Sequence, residues 1–83
     1  GYSLRGLIYA SLGEQKLAEE SFQRALQLDP RSGDTLHNYG WFLCQFQRWD
    51  EAAARFDQAV ALPQYRDVPR TLLAKGLCEA RAG

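Results

Sequence analysis

Three prolines, two cysteines, one histidine and no surplus of either charge are all that this 83-residue chain offers to most chemistries. Ten Lys and Arg stand against ten Asp and Glu, so there is no net field to draw the chain onto nucleic acid or an acidic bilayer. With little proline and 46% hydrophobic residues interleaved with polar ones, disorder is excluded and a folded domain is expected. No apolar run nears the ~20 residues that cross a bilayer, and no charged-then-apolar leader is present, so no direct membrane insertion is expected of this chain. The single histidine, His37, has no companions for a metal site and no nearby nucleophile or orienting acid. A glycine-rich phosphate loop and a Cys/His cluster are also missing, so the reading is no cofactor and no enzyme. The chain runs from Gly1, without Met, to Gly83, and is read as a piece of a longer protein. Its length allows one domain with a modest core.

What the chain does have is a period. Shifted by 34 residues, Gly6 falls on Gly40, Ala18 on Ala52, Phe22 on Phe56, Ala25 on Ala59 and Leu28 on Leu62. A third copy starts late, at Gly76, because "LPQYRDVP" lengthens the connection by about two residues. Periods of this size signal stacked arrays. Within each period the spacing is helical and divides at Gly13-Glu14 and at Gln47-Arg48, giving helix-turn-helix pairs. The first pair presents Leu4, Leu7, Ile8 and Leu12, then Leu17, Ser21, Ala25 and Leu28 with Ala18, Phe22 and Leu26 beside them. In the second, Leu36, Tyr39, Gly40 and Leu43 share a face, with Phe46 and Phe42 near it, and Trp41 lands almost opposite. Asp50 is the expected N-cap of the fourth helix, with Trp49 packed across its start. A fifth helix, about Pro69 to Ala82, opens with proline in its first turn. Glu19-Glu20 and Asp50-Glu51 are expected on solvated faces or near helix starts. The fold class is thus all-α, a solenoid of five antiparallel helices in a single domain. Its repeats run from about 1 to 32, 33 to 66 and, in part, 67 to 83.

Gly at the eighth place, Ala at the twentieth, Phe near the twenty-fourth, Ala at the twenty-seventh and a closing "LDP" resemble the tetratricopeptide repeat. The resemblance implies a protein-binding array in which the first helices of successive repeats line a concave groove. Asp34, His37, Trp41 and Cys44 or Gln45 of the second repeat would then face the groove. Ser3, Leu7 and Ala10 would lie on one side of them and Arg70, Leu73 and Leu77 on the other. With Asn38 beside them, these are the candidate partner-binding residues, Trp41 supplying apolar area and Arg70 and Asp34 setting orientation.

More specifically, "NYGWFLC", "RWDEAAARFDQAV", "PQY" and "KGLCEARAG" resemble the type IV pilus biogenesis and stability family. That resemblance implies a lipid-anchored parent at the periplasmic face of the outer membrane. Such a protein acts as a pilotin or assembly factor for the secretin, or binds another pilus-assembly component, and supports twitching motility. From spacing alone, Cys44 and Cys78 are either bridged or two buried thiols; an oxidising periplasm, implied by the family, favours the bridge. The alternative function is a co-chaperone or adaptor domain that grips an acidic peptide. For it Asn38 and Arg70 are suitably placed, but Ser3 and Leu7 stand where a Lys and an Asn are wanted. Self-association through apolar repeat ends is also expected, since Leu72, Leu73 and Leu77 have no following helix to cover them.

Overall fold

The computed structural model describes all residues, Gly1–Gly83. It contains five helices: α1 (Tyr2–Ser11), α2 (Gln15–Leu28), α3 (Gly33–Gln45), α4 (Trp49–Val60) and α5 (Val68–Ala82). Helices α1, α3 and α5 lie in a row and touch in sequence, whereas α2 and α4 share no contact. The slab is 16 Å thick, the depth of two helix layers.

Local chemistry explains the boundaries. Ser32 caps α3, its Oγ accepting the Thr35 backbone N–H at 3.2 Å, and Asp34 adds negative charge to the first turn. The turns inside the two repeats are built alike: Gly13 (φ 76°) and Gln47 (φ 64°) sit at equivalent places in the left-handed region. Glycine reaches that region at no steric cost and glutamine does not. The fourth helix starts one residue earlier than expected, at Trp49 with Arg48 as N-cap, so Asp50 is a first-turn acid rather than a cap.

The repeat is a packing unit. A Cβ added at Gly6 would lie 2.6 Å from the Phe22 ring, and one at Gly40 2.7 Å from the Phe56 ring. Each glycine therefore lets its helix rest directly on an aromatic ring of the following helix. Phe22 and Phe56, with Ala18, Ala52 and Ala59, are essentially inaccessible. Leu36, Tyr39 and Leu43 are buried as their spacing predicts, and Phe42, placed at the flank, is buried with them.

The first repeat corrects its expected faces. Leu4, Ile8 and Leu12 are exposed, and α1 buries Gly6 and Ala10 instead. One period later, Phe42 occupies the place of Ile8 and packs on Phe22, which belongs to the preceding helix. The same face of α1 has no such packing partner among the described residues and is exposed. Leu17 and Leu28 likewise point outward, and Ala18, Ser21, Phe22 and Ala25 form the buried stripe of α2.

Glu19 is also not the solvated carboxylate its sequence context suggests. Arg48 donates to both of its oxygens at 2.9 Å and to both oxygens of Glu51 at 2.8 and 2.9 Å, and Tyr39 Oη donates to Glu19 Oε2 at 2.7 Å. Three elements meet in this network: α2, α3 and the start of α4. The bond from Arg48 holds the Glu19 carboxyl below its usual value of 4.5 against the opposing effect of burial. A depressed carboxylate pKa contributes stability that is present above the unfolded value and lost as pH falls through the folded one. The stability advantage over a Glu19→Gln variant is therefore expected to hold at neutral pH and to shrink below about pH 4.5. Urea midpoints of the two proteins measured between neutral and acid pH check this; a constant difference across the range refutes it.

Candidate functional site

The row α1–α3–α5 positions nearly every candidate residue. Asn38 and Trp41 of α3 and Arg70, Leu73, Ala74 and Leu77 of α5 border one shallow depression of about 310 Å³, with His37 at its base. Trp41 is half-buried, its ring supported by the core on one side. Leu73 is 63% exposed and Leu77 48%. One turn apart on α5, they form an apolar edge beside the indole.

The polar residues of the row are engaged across helices. Asn38 Nδ2 donates to Ser3 Oγ at 3.1 Å, and Gln45 Nε2 donates to the Ala10 carbonyl at 2.9 Å, so α1 is tied to α3 on either side of Trp41. Asp34 and Arg70 approach to 3.9 Å across the α3–α5 line, both largely exposed. A pair of this kind contributes little to stability; Arg70 borders the depression, and Asp34 faces it from outside the lining.

His37 is not a free polar contact. It is buried, and its Nδ1 lies 2.8 Å from Thr71 Oγ1 of α5, whose hydroxyl is also 2.8 Å from Tyr65 Oη. A chain in which Tyr65 donates to Thr71 and Thr71 donates to the imidazole uses each group once. Burial first, and the nearby Arg70 second, push the His37 pKa below its usual 6.5, which favours the neutral ring that this chain of donors requires. Tyr65 comes from the lengthened loop and lays its ring against the Gly33 backbone, where no Cβ would fit. The insertion that breaks the period thus anchors the start of α5.

Cys44, proposed for the groove in alternation with Gln45, is fully buried, and so is Ala10; both are packing residues. Cys44 and Cys78 meet at the other end of the α3–α5 line, with Cα atoms 5.9 Å apart, inside the range a disulfide spans. Sequence reasoning missed Thr71, Tyr65, Ser3 and Gln45 as tying residues. A signal existed for one of them: His37 and Thr71 stand 34 residues apart, the same interval that brings Cys44 and Cys78 together.

No point in the structure gathers three His, Cys, Asp or Glu side chains that could hold a metal ion. No helix is long and apolar enough to cross a membrane.

Two models of the tetratricopeptide repeat match the chain, at residues 1–32 and 21–61. Among curated proteins, the type IV pilus assembly protein PilF of Pseudomonas aeruginosa is 34% identical over 71 residues, covering 86% of this chain and 28% of PilF. An uncharacterized protein of Haemophilus influenzae is 30% identical over 57 residues, covering 69% of this chain and 32% of that protein. The chain thus spans about a third or less of the length of these relatives. No solved structure matches it. With five stacked helices, a glycine-on-phenylalanine contact in each of two repeats and matches that run from the first residue to the sixty-first, the chain belongs to the tetratricopeptide repeat family and resembles PilF.

Proposed function

We propose that this chain, built from repeats that are generally non-catalytic protein-binding modules, binds a segment of another type IV pilus component through the depression around Trp41. The secretin is the preferred partner, and the protein would act as a pilotin or assembly factor at the periplasmic face of the outer membrane. The observation that carries the reading is the exposed apolar edge of Leu73 and Leu77 beside the half-buried Trp41, on helices fixed to their neighbours. A rigid surface loses little entropy on docking, and a supported aromatic ring is the usual anchor of such contacts. The likeness to PilF supplies the pilus context. In the same proposal Cys44 and Cys78 are bridged, as an oxidising compartment allows.

The charge balance bears on the partner. Asn38 is engaged with Ser3, and Arg70 faces Asp34, so the depression has no cluster of free donors for an acidic peptide. Recognition through apolar area is expected to vary little with salt, whereas a carboxylate clamp would be strongly salt-sensitive. Trp41→Ala is expected to cost about 2 kcal/mol or more of binding, roughly a 30-fold loss or greater, and to abolish secretin multimers in outer membranes. The helical circular dichroism spectrum should be unchanged, with melting lowered only by the packing that the ring gives the core. Multimers that persist in the variant would remove the site from this face.

A further inference from the structure

The two junctions between repeats are built on the same outer-helix face but are filled differently. In the first, Tyr39 and Phe42 of the incoming α3 lie against Phe22, and Phe46 packs on Phe42. Ring centroids are 5.4 Å apart for Phe22–Tyr39, 5.5 Å for Phe22–Phe42 and 5.3 Å for Phe42–Phe46. In the second, Phe56 takes the place of Phe22. With Gly40 aligned on Gly76, the residues of α5 that correspond to Tyr39, Phe42 and Phe46 are Lys75, Cys78 and Ala82. One contact ties the two helices at this point: Lys75 Nζ donates to Asp57 Oδ1 at 2.7 Å.

Three rings have therefore become an amine, a sulfur and a methyl, and the space they leave is only partly recovered by Trp49. A cleft of about 200 Å³ remains between α4 and α5, with Phe56 and Cys78 at its base, Trp49 and Ala53 on one wall and Ala82 on the other. Close-packed interiors do not leave such space unfilled without cost. The corresponding junction shows what fits against this face, which is an aromatic ring lying on the phenylalanine. The rim adds a charge preference. Lys75 is neutralised by Asp57, while Asp50 and Glu79, which also border the cleft, form no ion pair.

We propose that the α4–α5 cleft is a second binding site, separate from the depression around Trp41, which receives an aromatic side chain of a protein partner flanked by Lys or Arg. The ring takes the place that Phe42 and Phe46 fill in the first junction, and the basic neighbour meets Asp50 and Glu79. Occupancy of both sites by one partner would raise its affinity through effective concentration, without further contacts.

The test is a titration of the isotope-labelled chain with N-acetyl-Phe-Arg-amide, followed by NMR. The Trp49 indole N–H and the backbone amides of Lys75 to Ala82 are expected to shift saturably, while the Trp41 indole stays in place. N-acetyl-Phe-Glu-amide is expected to bind about two- to fivefold more weakly at low salt, as an exposed charge pair allows, and N-acetyl-Ala-Arg-amide not to saturate. Ala82→Phe, which restores the ring found at Phe46, is expected to weaken the probe at least about tenfold with the helical spectrum intact; Ala82→Ile fills the same space should the larger side chain perturb folding. Absence of a saturable shift at Trp49 overturns the site, as does unchanged binding in the filled variants. Equal binding of the Arg and Glu probes overturns the basic flank.

Discussion

Phe22→Ala is expected to lower the stability of the chain by about 3–5 kcal/mol, a large share of the roughly 4–12 kcal/mol expected for a domain of this size. The ring is inaccessible, stacks on Tyr39 and supports Phe42, so its loss opens a cavity at the meeting point of α1, α2 and α3. Urea denaturation followed by circular dichroism checks the magnitude. The same experiment isolates the glycine contact. Gly6→Ala alone forces its new methyl into the Phe22 ring and is expected to cost about 1–3 kcal/mol; in the Phe22→Ala background that clash is gone, and the alanine should be neutral or favourable. A double-mutant cycle with no coupling would mean that α1 does not rest on Phe22.

Reduction of the proposed Cys44–Cys78 bridge carries the second large effect. The two residues are separated by 34 positions, and a loop of that size gives about 4 kcal/mol in the chain-entropy model, with 2–4 kcal/mol the usual yield. Melting is expected to fall on adding reductant, and a Cys44→Ala/Cys78→Ala variant should melt like the reduced protein and ignore the reductant. Thiol labelling of the unfolded, untreated protein supplies the independent readout: two reactive cysteines would mean that there is no bridge. Besides this link, α3 and α5 are joined by the His37–Thr71 bond and by the loose Asp34–Arg70 pair. Reduction is therefore also expected to weaken binding at Trp41, whose depression these two helices border.

The helices and their pairing were legible because glycine, alanine and phenylalanine recur at fixed intervals and each does one steric job. The wrong faces in α1 and α2 have a common cause. Leu4, Ile8, Leu12, Leu17 and Leu28 are apolar at helical spacing, and periodicity cannot say whether a neighbour exists to cover them. Trp41 was legible as the odd aromatic on a helix whose core face was already full. The burial of His37 was not, because it depends on Thr71 in the next repeat and on Tyr65 in an irregular loop, whose reach no local pattern encodes. The network on Arg48 escaped for the same reason: Glu19 lies 29 residues away, an interval unrelated to the period.

The second and fourth helices carry the same face, Ala18-Phe22-Ala25 and Ala52-Phe56-Ala59, while the helices that dock on them do not resemble each other: α3 brings rings and α5 brings Lys75, Cys78 and Ala82. The phenylalanine faces of the outer helices are therefore interchangeable, although Glu19 and Asp57 bond each outer helix to its own neighbours, and the inner faces are not. Exchanging α2 with α4 keeps a phenylalanine beneath each glycine; exchanging α3 with α5 sets small side chains where the first junction needs rings and rings where the second has its cleft. The apolar part of the code that orders the repeats is written in the inner helices, and the outer ones add to it only Glu19 and Asp57.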